Sequence, residues 1–382
     1  MTMKQLLKFI LFLFSVISII STAAASQSNL FLSVFFNGYH ESKVKSELFL
    51  KMIAFENHYY SQFLTEEEQS VFMDAVEIAT NINLKDARSM IFDEVPGLFA
   101  MKSEIVVAGE GTDFTNLPIE SSPPIEELLK DREVVEESLE NILDDPPKKN
   151  IEKPDKNTVF IYHSHNRESF IPHIKDSNSA VTAQHKEVNI TLVGERLANK
   201  LMEKGIGAVV DKTDIAKILA ERNLPYTKSY EASREVVQEA MAQNKDLVYF
   251  LDIHRDSAKR NTTTTIINGK NYAKLYFIVG ESHPGYKENE KFAIELNSLI
   301  KEKYPALTRG IFHKDKTEGN GVYNQDLSPN SLIIEIGGPE NTLEEMYNTV
   351  DILAEVFAEY YWEKSEAVCR LWSSSRRPRL PQ

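Results

Sequence analysis

The stretch Thr158-Val-Phe-Ile-Tyr-His-Ser-His-Asn-Arg-Glu-Ser-Phe170 is the one around which the chain is organised. Its β-branched and aromatic start, residues 158–162, predicts a short buried strand. The strand ends directly before two histidines, His163 and His165. In an α/β domain, the carboxyl end of a buried strand lies at the sheet edge where ligands bind. The pair therefore favours a metal site with a hydrolytic role, and surface histidines are the alternative for this stretch taken alone.

Composition narrows the possible functions. With 382 residues and 42% hydrophobic content, the chain is long enough for more than one domain and for a real core. A net charge of −14 makes nucleic acid a poor partner, because phosphate binding needs a concentrated basic face. The single cysteine, Cys369, excludes an intramolecular disulfide and a cysteine-rich zinc site. Any metal must therefore be held by His, Asp or Glu.

The amino terminus has the pattern of an export signal. Lys4 and Lys8 precede the apolar run 9–20, and three small residues, 23–25, follow it. No charged residue occurs from Phe9 to Tyr39, so the stretch is also long enough to span a bilayer. Residues 1–28 are predicted to be a signal-anchor or transmembrane segment, either cleaved or retained. The positive-inside rule then leaves the rest of the chain outside the cytoplasm.

Four further segments follow. Residues 29–102 are predicted to form a small helical membrane-proximal domain, and 103–156, rich in Pro, Glu and Asp, an acidic linker. In 157–365, strand and helix patterns alternate, which predicts an α/β domain with a mostly parallel or mixed sheet flanked by helices. Within it, Asn268-Gly269 predicts a β-hairpin between strands 263–267 and 272–279. After a helix that ends near Tyr304, a loop is predicted to run through His313 to Gly321. Residues 366–382 are predicted to be a disordered basic tail.

Three predicted strands, 158–162, 247–254 and 331–336, deliver ionisable residues at their carboxyl ends: His165, His254 and Glu335. Because parallel strands end at the same sheet edge, we expect these three side chains to lie together. Neutral imidazole suits Zn2+, and catalytic zinc takes three protein ligands and a water. Glu335 is the expected general base.

The third ligand stays open on the residues alone. His185 and Glu187, in the loop before the next helix, are the candidates, with Glu168 further back. His163 could also replace His165, since residues i and i+2 of a strand share a face.

Several charged residues are expected to support the site. Asp252, Arg255 and Asp256 flank His254 and could orient the ligands, with loop charges or helix caps as the alternative. Arg167 could bind a substrate carboxylate or form an ordinary surface salt bridge. His163 and Glu168 complete this supporting set.

Five long motifs resemble the stage II sporulation protein P family of endospore-forming bacteria. They occupy residues 162–169, 188–194, 252–257, 319–326 and 334–338. The resemblance covers the exported region and ends at about Ser365. It implies a membrane-anchored cell-wall hydrolase with amidase and endopeptidase activity on peptidoglycan. It also implies a role in engulfment at the septal membrane between mother cell and forespore, with stage II sporulation proteins D and M as partners.

The α/β domain is also similar to zinc-dependent N-acetylmuramoyl-L-alanine amidases. Their Ile-Asp-Pro-Gly-His pattern matches residues 161–165, which implies His165 as the first Zn2+ ligand. Their second His and catalytic Glu match His254 and Glu335. Their intermediate Glu precedes an Asn-Leu helix start, near Glu187 here, but the local pattern departs and leaves His185 or Glu187 as the third ligand.

Two other functions are compatible with the residues. An amidohydrolase-type metallohydrolase also has a His-x-His after its first strand, but it needs an eight-fold βα barrel. A non-enzymatic, membrane-anchored scaffold that binds the cell wall would use the histidines structurally.

Overall fold

The computed structural model describes residues 105–112, 116–117, 120–139, 154–316 and 319–375. All of them belong to one compact unit, Val95–Gln382. The predicted segments 1–28 and 29–102 lie outside the described residues. Within the described part of the chain, none of the helices combines the length and apolar character needed to cross a membrane.

Within the described ranges, seven strands form one mixed sheet, and two more form a separate hairpin. The strands are β1 (Ile105–Ala108), β2 (Asn157–Tyr162), β3 (Gly207–Val210), β4 (Tyr249–His254), β5 (Thr264–Ile267), β6 (Lys270–Ala273), β7 (Leu275–Gly280), β8 (Thr308–Lys314) and β9 (Ser331–Ile336). The sheet order is β1-β8-β7-β9-β4-β2-β3. Strands β3, β2, β4 and β9 are parallel to one another, β7 runs antiparallel to β9, and β8 is parallel to β7. The α/β class with a mixed sheet is as predicted.

Helices cover both faces of the sheet. They are α1 (Ile125–Leu129), α2 (Ile190–Glu203), α3 (Ile215–Glu221), α4 (Ser229–Gln243), α5 (Arg260–Thr263), α6 (Tyr286–Lys303) and α7 (Leu343–Ser375). The main core joins one face of the sheet to α2, α6 and α7. On the other face, Phe160, Tyr162 and Phe250 pack against Val237 of α4. Because β2, β4 and β9 are buried on both faces, their sequences are nearly continuous apolar runs.

The predicted hairpin is present. Asn268 and Gly269 both have positive φ, 51° and 79°, as a two-residue type I′ turn requires. The second predicted strand is divided, however. Residues 270–273 pair with β5, whereas β7 belongs to the main sheet.

Strand β8 was predicted as part of a loop, and that prediction was wrong for His313. The strand contains the buried charged or polar side chains of Arg309, His313 and Lys314, which interrupt its apolar pattern. Arg309 is nevertheless neutralised, because its guanidinium pairs with Asp256 and lies 4.6 Å above the ring of Tyr276.

Two further differences concern segment boundaries. The predicted linker contributes β1, which pairs antiparallel with β8, and α1, whose Leu128 is buried against Ala216 and Tyr226. At the other end, α7 continues to Ser375, inside the segment predicted to be a disordered tail. The amidohydrolase alternative needs a closed eight-stranded barrel, and the open sheet formed by the described residues does not fit it.

Candidate metal centre

The three strand ends that carry the predicted site lie side by side. Strands β2 and β4 pair with Tyr162 opposite Asp252, and β4 and β9 pair with His254 opposite Glu335. The parallel register therefore brings the carboxyl ends of all three strands to one edge of the sheet, as the strand patterns predicted.

At this edge, two histidines and one glutamate converge. The side chains of His165, Glu168 and His254 each offer a donor atom, and these atoms all lie within 4.8 Å of one another. Nδ1 of His165 is 3.8 Å from Oε1 of Glu168, and Nδ1 of His254 is 3.7 Å from Oε2. Among the described residues, no other three His, Cys, Asp or Glu side chains form such a group. We call these three residues the His–Glu–His cluster.

Carboxylates outside the cluster face the other nitrogen of each ring. Nε2 of His254 lies 2.9 Å from Oδ1 of Asp252, and Nε2 of His165 lies 3.1 Å from Oε1 of Glu120. Asp252 is itself fixed, since it accepts hydrogen bonds from the backbone N–H and the hydroxyl of Ser164 at 2.9 and 2.5 Å. Both rings thus direct Nδ1 toward Glu168.

The donor set fits a divalent cation. Burial, followed by the nearby charge of His254, holds the pKa of His165 well below its usual range, so this imidazole is neutral and able to ligate. Its Nδ1 is buried and has no hydrogen-bond partner within the described part of the chain. Two imidazoles and one carboxylate, with one position left over, form the ligand set typical of catalytic zinc.

Excess negative charge supports the same fit. Burial would lower the pKa of His254, but the charges of Asp252, Glu168 and Glu335 raise it to about 10. Burial raises the pKa of Glu168, an effect that the neighbouring Arg255 and His254 partly oppose. The buried carboxylates thus favour a positive charge among them, which the His254 proton supplies in the metal-free chain and which a bound metal ion would supply in its place.

Glu335 lies beside the cluster on β9. Its side chain is buried, and Oε2 has no hydrogen-bond partner among the described residues. Burial raises the pKa of Glu335 to about 8, and the positive charge of His254 opposes this rise. A buried carboxylate with an unused oxygen and a raised pKa is suited to accept a proton.

His163 is directed away from the cluster. Strand β2 ends at Tyr162, so His163 and His165 do not share a strand face as the i, i+2 argument required. The His163 ring packs against Gly194 of α2, and its Nδ1 lies 3.2 Å from the Asp211 carbonyl oxygen. Burial lowers its pKa to about 4. His163 therefore stabilises the packing of α2 against the sheet.

The two favoured candidates for the third ligand also lie elsewhere. Nδ1 of His185 accepts hydrogen bonds from the backbone N–H groups of Glu187 and Val188 at 3.1 and 2.8 Å, and its Nε2 faces the Arg132 carbonyl at 3.1 Å. Glu187 is exposed. Neither residue belongs to the cluster, where Glu168 takes the third position because its loop turns back toward β4.

Two of the predicted supporting residues, Arg167 and Asp256, connect loops to neighbouring parts of the fold. Arg167 forms a two-pronged ion pair with Asp214, at 3.0 and 2.6 Å, and donates to the Leu128 carbonyl at 2.8 Å. Its guanidinium is thus engaged in a partly buried salt bridge and one carbonyl contact. Asp256 pairs with Arg309 and accepts from the Ala258 N–H at 3.0 Å, which joins the end of β4 to β8.

Arg255, another of the predicted supporting residues, contacts the cluster directly. Its backbone N–H donates to Oε2 of Glu168 at 3.0 Å. Its guanidinium donates to the carbonyls of Ser169, Ala180 and Ala183 at 2.8, 2.8 and 3.1 Å. Arg255 therefore fixes both Glu168 and the loop that follows it.

Sequence patterns did not identify several residues around the cluster. The ring of Tyr226 stacks on His165 at 4.5 Å, and Tyr230 of α4 contacts the same imidazole edge-on at 5.2 Å. Glu120 comes from the predicted linker, where no periodicity marks it. Tyr226 and Tyr230 follow a helix-like pattern, which indicates core packing as readily as a site.

Fold and site together define an α/β protein with a buried histidine–carboxylate centre at the carboxyl edge of its parallel strands. The model of the family described as stage II sporulation protein P matches residues 85–358. The chain is also 42% identical over 330 residues to stage II sporulation protein P of Bacillus subtilis (strain 168), covering 84% of this chain and 82% of that relative. The chain belongs to the stage II sporulation protein P family and is a sporulation protein.

Proposed function

We propose that the protein is a zinc-dependent hydrolase that cleaves amide bonds in peptidoglycan. The observation that carries the proposal is the His–Glu–His cluster with Glu335 buried beside it. In this proposal, His165, Glu168 and His254 hold Zn2+, and Asp252 orients the His254 ring. When bound, zinc polarises the amide carbonyl and lowers the pKa of an attacking water to about 7.

Glu335 is the proposed general base. Its unpartnered Oε2 accepts the proton of the attacking water, and the protonated carboxyl then donates that proton to the departing amine. The raised pKa of Glu335 suits both directions of transfer, because burial makes the protonated form stable enough to be populated. A bound cation would lower this pKa, which favours the basic form before the reaction begins.

The proposed substrate can be stated more specifically than amide bonds in general. We propose N-acetylmuramoyl-L-alanine amidase and endopeptidase activity on stem peptides and cross-links during engulfment. Membership of a sporulation family supports the setting. The same proposal has residues 1–28 anchor the chain in the septal membrane, with the α/β unit outside the cytoplasm and stage II sporulation proteins D and M as partners.

The test uses the full chain purified in detergent with purified peptidoglycan. We expect one bound zinc per chain and release of stem peptides, with activity lost on chelation and restored by Zn2+. Glu335→Gln should lower the rate by about 100-fold or more and still bind zinc, whereas His254→Ala should lose both. Near-normal release of stem peptides by Glu335→Gln would refute the general-base role.

The same experiment distinguishes the proposed hydrolase from a non-enzymatic scaffold that binds the cell wall. A chain that binds peptidoglycan, holds no zinc and does not respond to a chelator would favour a structural role for the histidines. A matched control is Glu344→Gln, since Glu344 lies in the first turn of α7, away from the cluster.

A further inference from the structure

Glu120 contacts the metal centre from a segment that precedes strand β2 in the chain. Its Oε1 lies 3.1 Å from Nε2 of His165 and accepts a hydrogen bond of 3.4 Å from the Tyr230 hydroxyl. The His165 side chain is almost fully buried, and that of Glu120 is 22% exposed. The contact is therefore a specific one inside a largely closed site.

The two histidines of the cluster have matching surroundings. Each has Nε2 beside a carboxylate that is not a proposed ligand, Asp252 for His254 and Glu120 for His165. For His165, a carboxylate that accepts Nε2–H fixes the tautomer, so Nδ1 is left with its lone pair free for a metal. This agrees with the buried and unpartnered Nδ1 of His165.

The segment that carries Glu120 is packed on the sheet. Leu117 is buried with Tyr230 and Tyr276, and Arg309 donates to the Asn116 carbonyl. On the other side, Leu128 of α1 is buried. Residues before and after Glu120 are thus attached to the same unit as the cluster.

We propose that Glu120 is a positioning residue of the metal centre, which holds the His165 ring and its tautomer through Nε2. The proposal rests on the proposed zinc site. It extends the functional unit to a segment that the sequence predicted to be a spacer. Loss of the Glu120 contact would then weaken metal binding.

The test compares Glu120→Ala, Glu120→Gln and the control Glu126→Ala in the full chain. Glu126 lies in the first turn of α1, on the same segment, with an exposed side chain. Zinc affinity is measured by competition with a chromophoric chelator, and the ligand geometry by the visible spectrum of the Co2+ form. We expect Glu120→Ala to weaken zinc binding about 10- to 100-fold and alter the spectrum. Glu120→Gln, which keeps an acceptor oxygen, should recover part of the loss, and Glu126→Ala should match the wild type.

The outcomes separate the two proposals. Wild-type zinc affinity and an unchanged Co2+ spectrum in Glu120→Ala would overturn the positioning role and leave the proposed function standing. A wild-type chain without zinc would overturn the proposed function. In that case the His165 tautomer of the metal-free protein, measured by 15N NMR, decides: loss of the Nε2–H form in Glu120→Ala supports positioning, and an unchanged tautomer overturns it.

Discussion

Replacing Arg255 with methionine should destabilise the α/β unit and weaken its metal site together. Arg255 is among the largest fully buried side chains, and its guanidinium donates to the carbonyls of Ser169, Ala180 and Ala183 and, at a longer 3.3 Å, to that of Asp256. Two of the acceptors keep a second donor: Ala180 O has Gln184 Nε2 at 3.1 Å, and Ala183 O has Ser169 N at 2.9 Å. The Ser169 carbonyl has no second donor among the described residues.

The expected magnitude follows from these partners. An orphaned buried carbonyl costs about 1–3 kcal/mol, and each shared carbonyl that loses a charged donor costs about 0.5–1 kcal/mol. The sum is about 2–5 kcal/mol, which overlaps the range of about 3–5 kcal/mol for removing one partner of a buried charge network. Arg255 also lowers the pKa of Glu168, so the variant should favour the protonated carboxyl and bind Zn2+ more weakly.

The assay is denaturant unfolding of the metal-free full chain, followed by circular dichroism, with zinc affinity measured in parallel. The control is Arg222→Met, because Arg222 pairs with Glu235 at 2.7 and 2.8 Å on the surface. An exposed pair of this kind contributes about 0–1 kcal/mol. If Arg255→Met cost no more than the control, the loop would not depend on this guanidinium, and the reasoning would fail.

Two other perturbations test the packing around the site. Gly194→Ala should lower the free energy of unfolding by about 1–2 kcal/mol, although alanine favours helices, because the new Cβ would clash with the buried His163 ring. In the His163→Ala background, adding Gly194→Ala should cost little free energy of unfolding, because the ring that it would clash with is gone. A Gly194→Ala single variant more stable than the wild type would contradict the close contact between His163 and α2. Glu345→Gln should cost about 1 kcal/mol at pH 7, since Glu345 caps α7 and accepts from Arg260 and Asn341. Burial alone would raise the pKa of Glu345, but these hydrogen bonds lower it below its unfolded value. Its contribution is therefore present above the unfolded pKa of about 4.3 and is lost as pH falls through the folded pKa. Unfolding curves at pH 7 and pH 3 should show the difference shrinking, and a constant difference would exclude the charged cap.

Local sequence patterns were enough for the central part of the sheet. The apolar runs of β2, β4 and β9 predicted three parallel strands with a common edge, and the structure pairs them in register. The Asn268-Gly269 pair predicted its hairpin because few other residues adopt two positive φ values in succession. Such features depend on residues close together in the chain. They are therefore visible in the sequence.

The edges of the sheet were harder to predict. Strand β8 carries the buried side chains of Arg309 and His313, whose partners are Asp256 after β4 and Glu290 of α6, and these contacts follow no period of two. Strand β1 lies within an acidic, Pro-rich segment, and its pairing with β8 joins residues about two hundred positions apart. Neither strand has a hydrophobic alternation strong enough to overcome its surroundings.

The sequence by itself determined that His165, His254 and Glu335 meet at one edge, because alternating strands and helices favour parallel strands, whose carboxyl ends share an edge. Only the tertiary structure decided that Glu168 joins the two histidines and that His185 and Glu187 do not. It also decided that His163 faces α2 and that Glu120 faces His165. The physical reason is that loop residues follow no repeating period. Their directions are set by hydrogen bonds and packing with parts of the chain that are distant in sequence, such as Arg255 beneath the loop of Glu168.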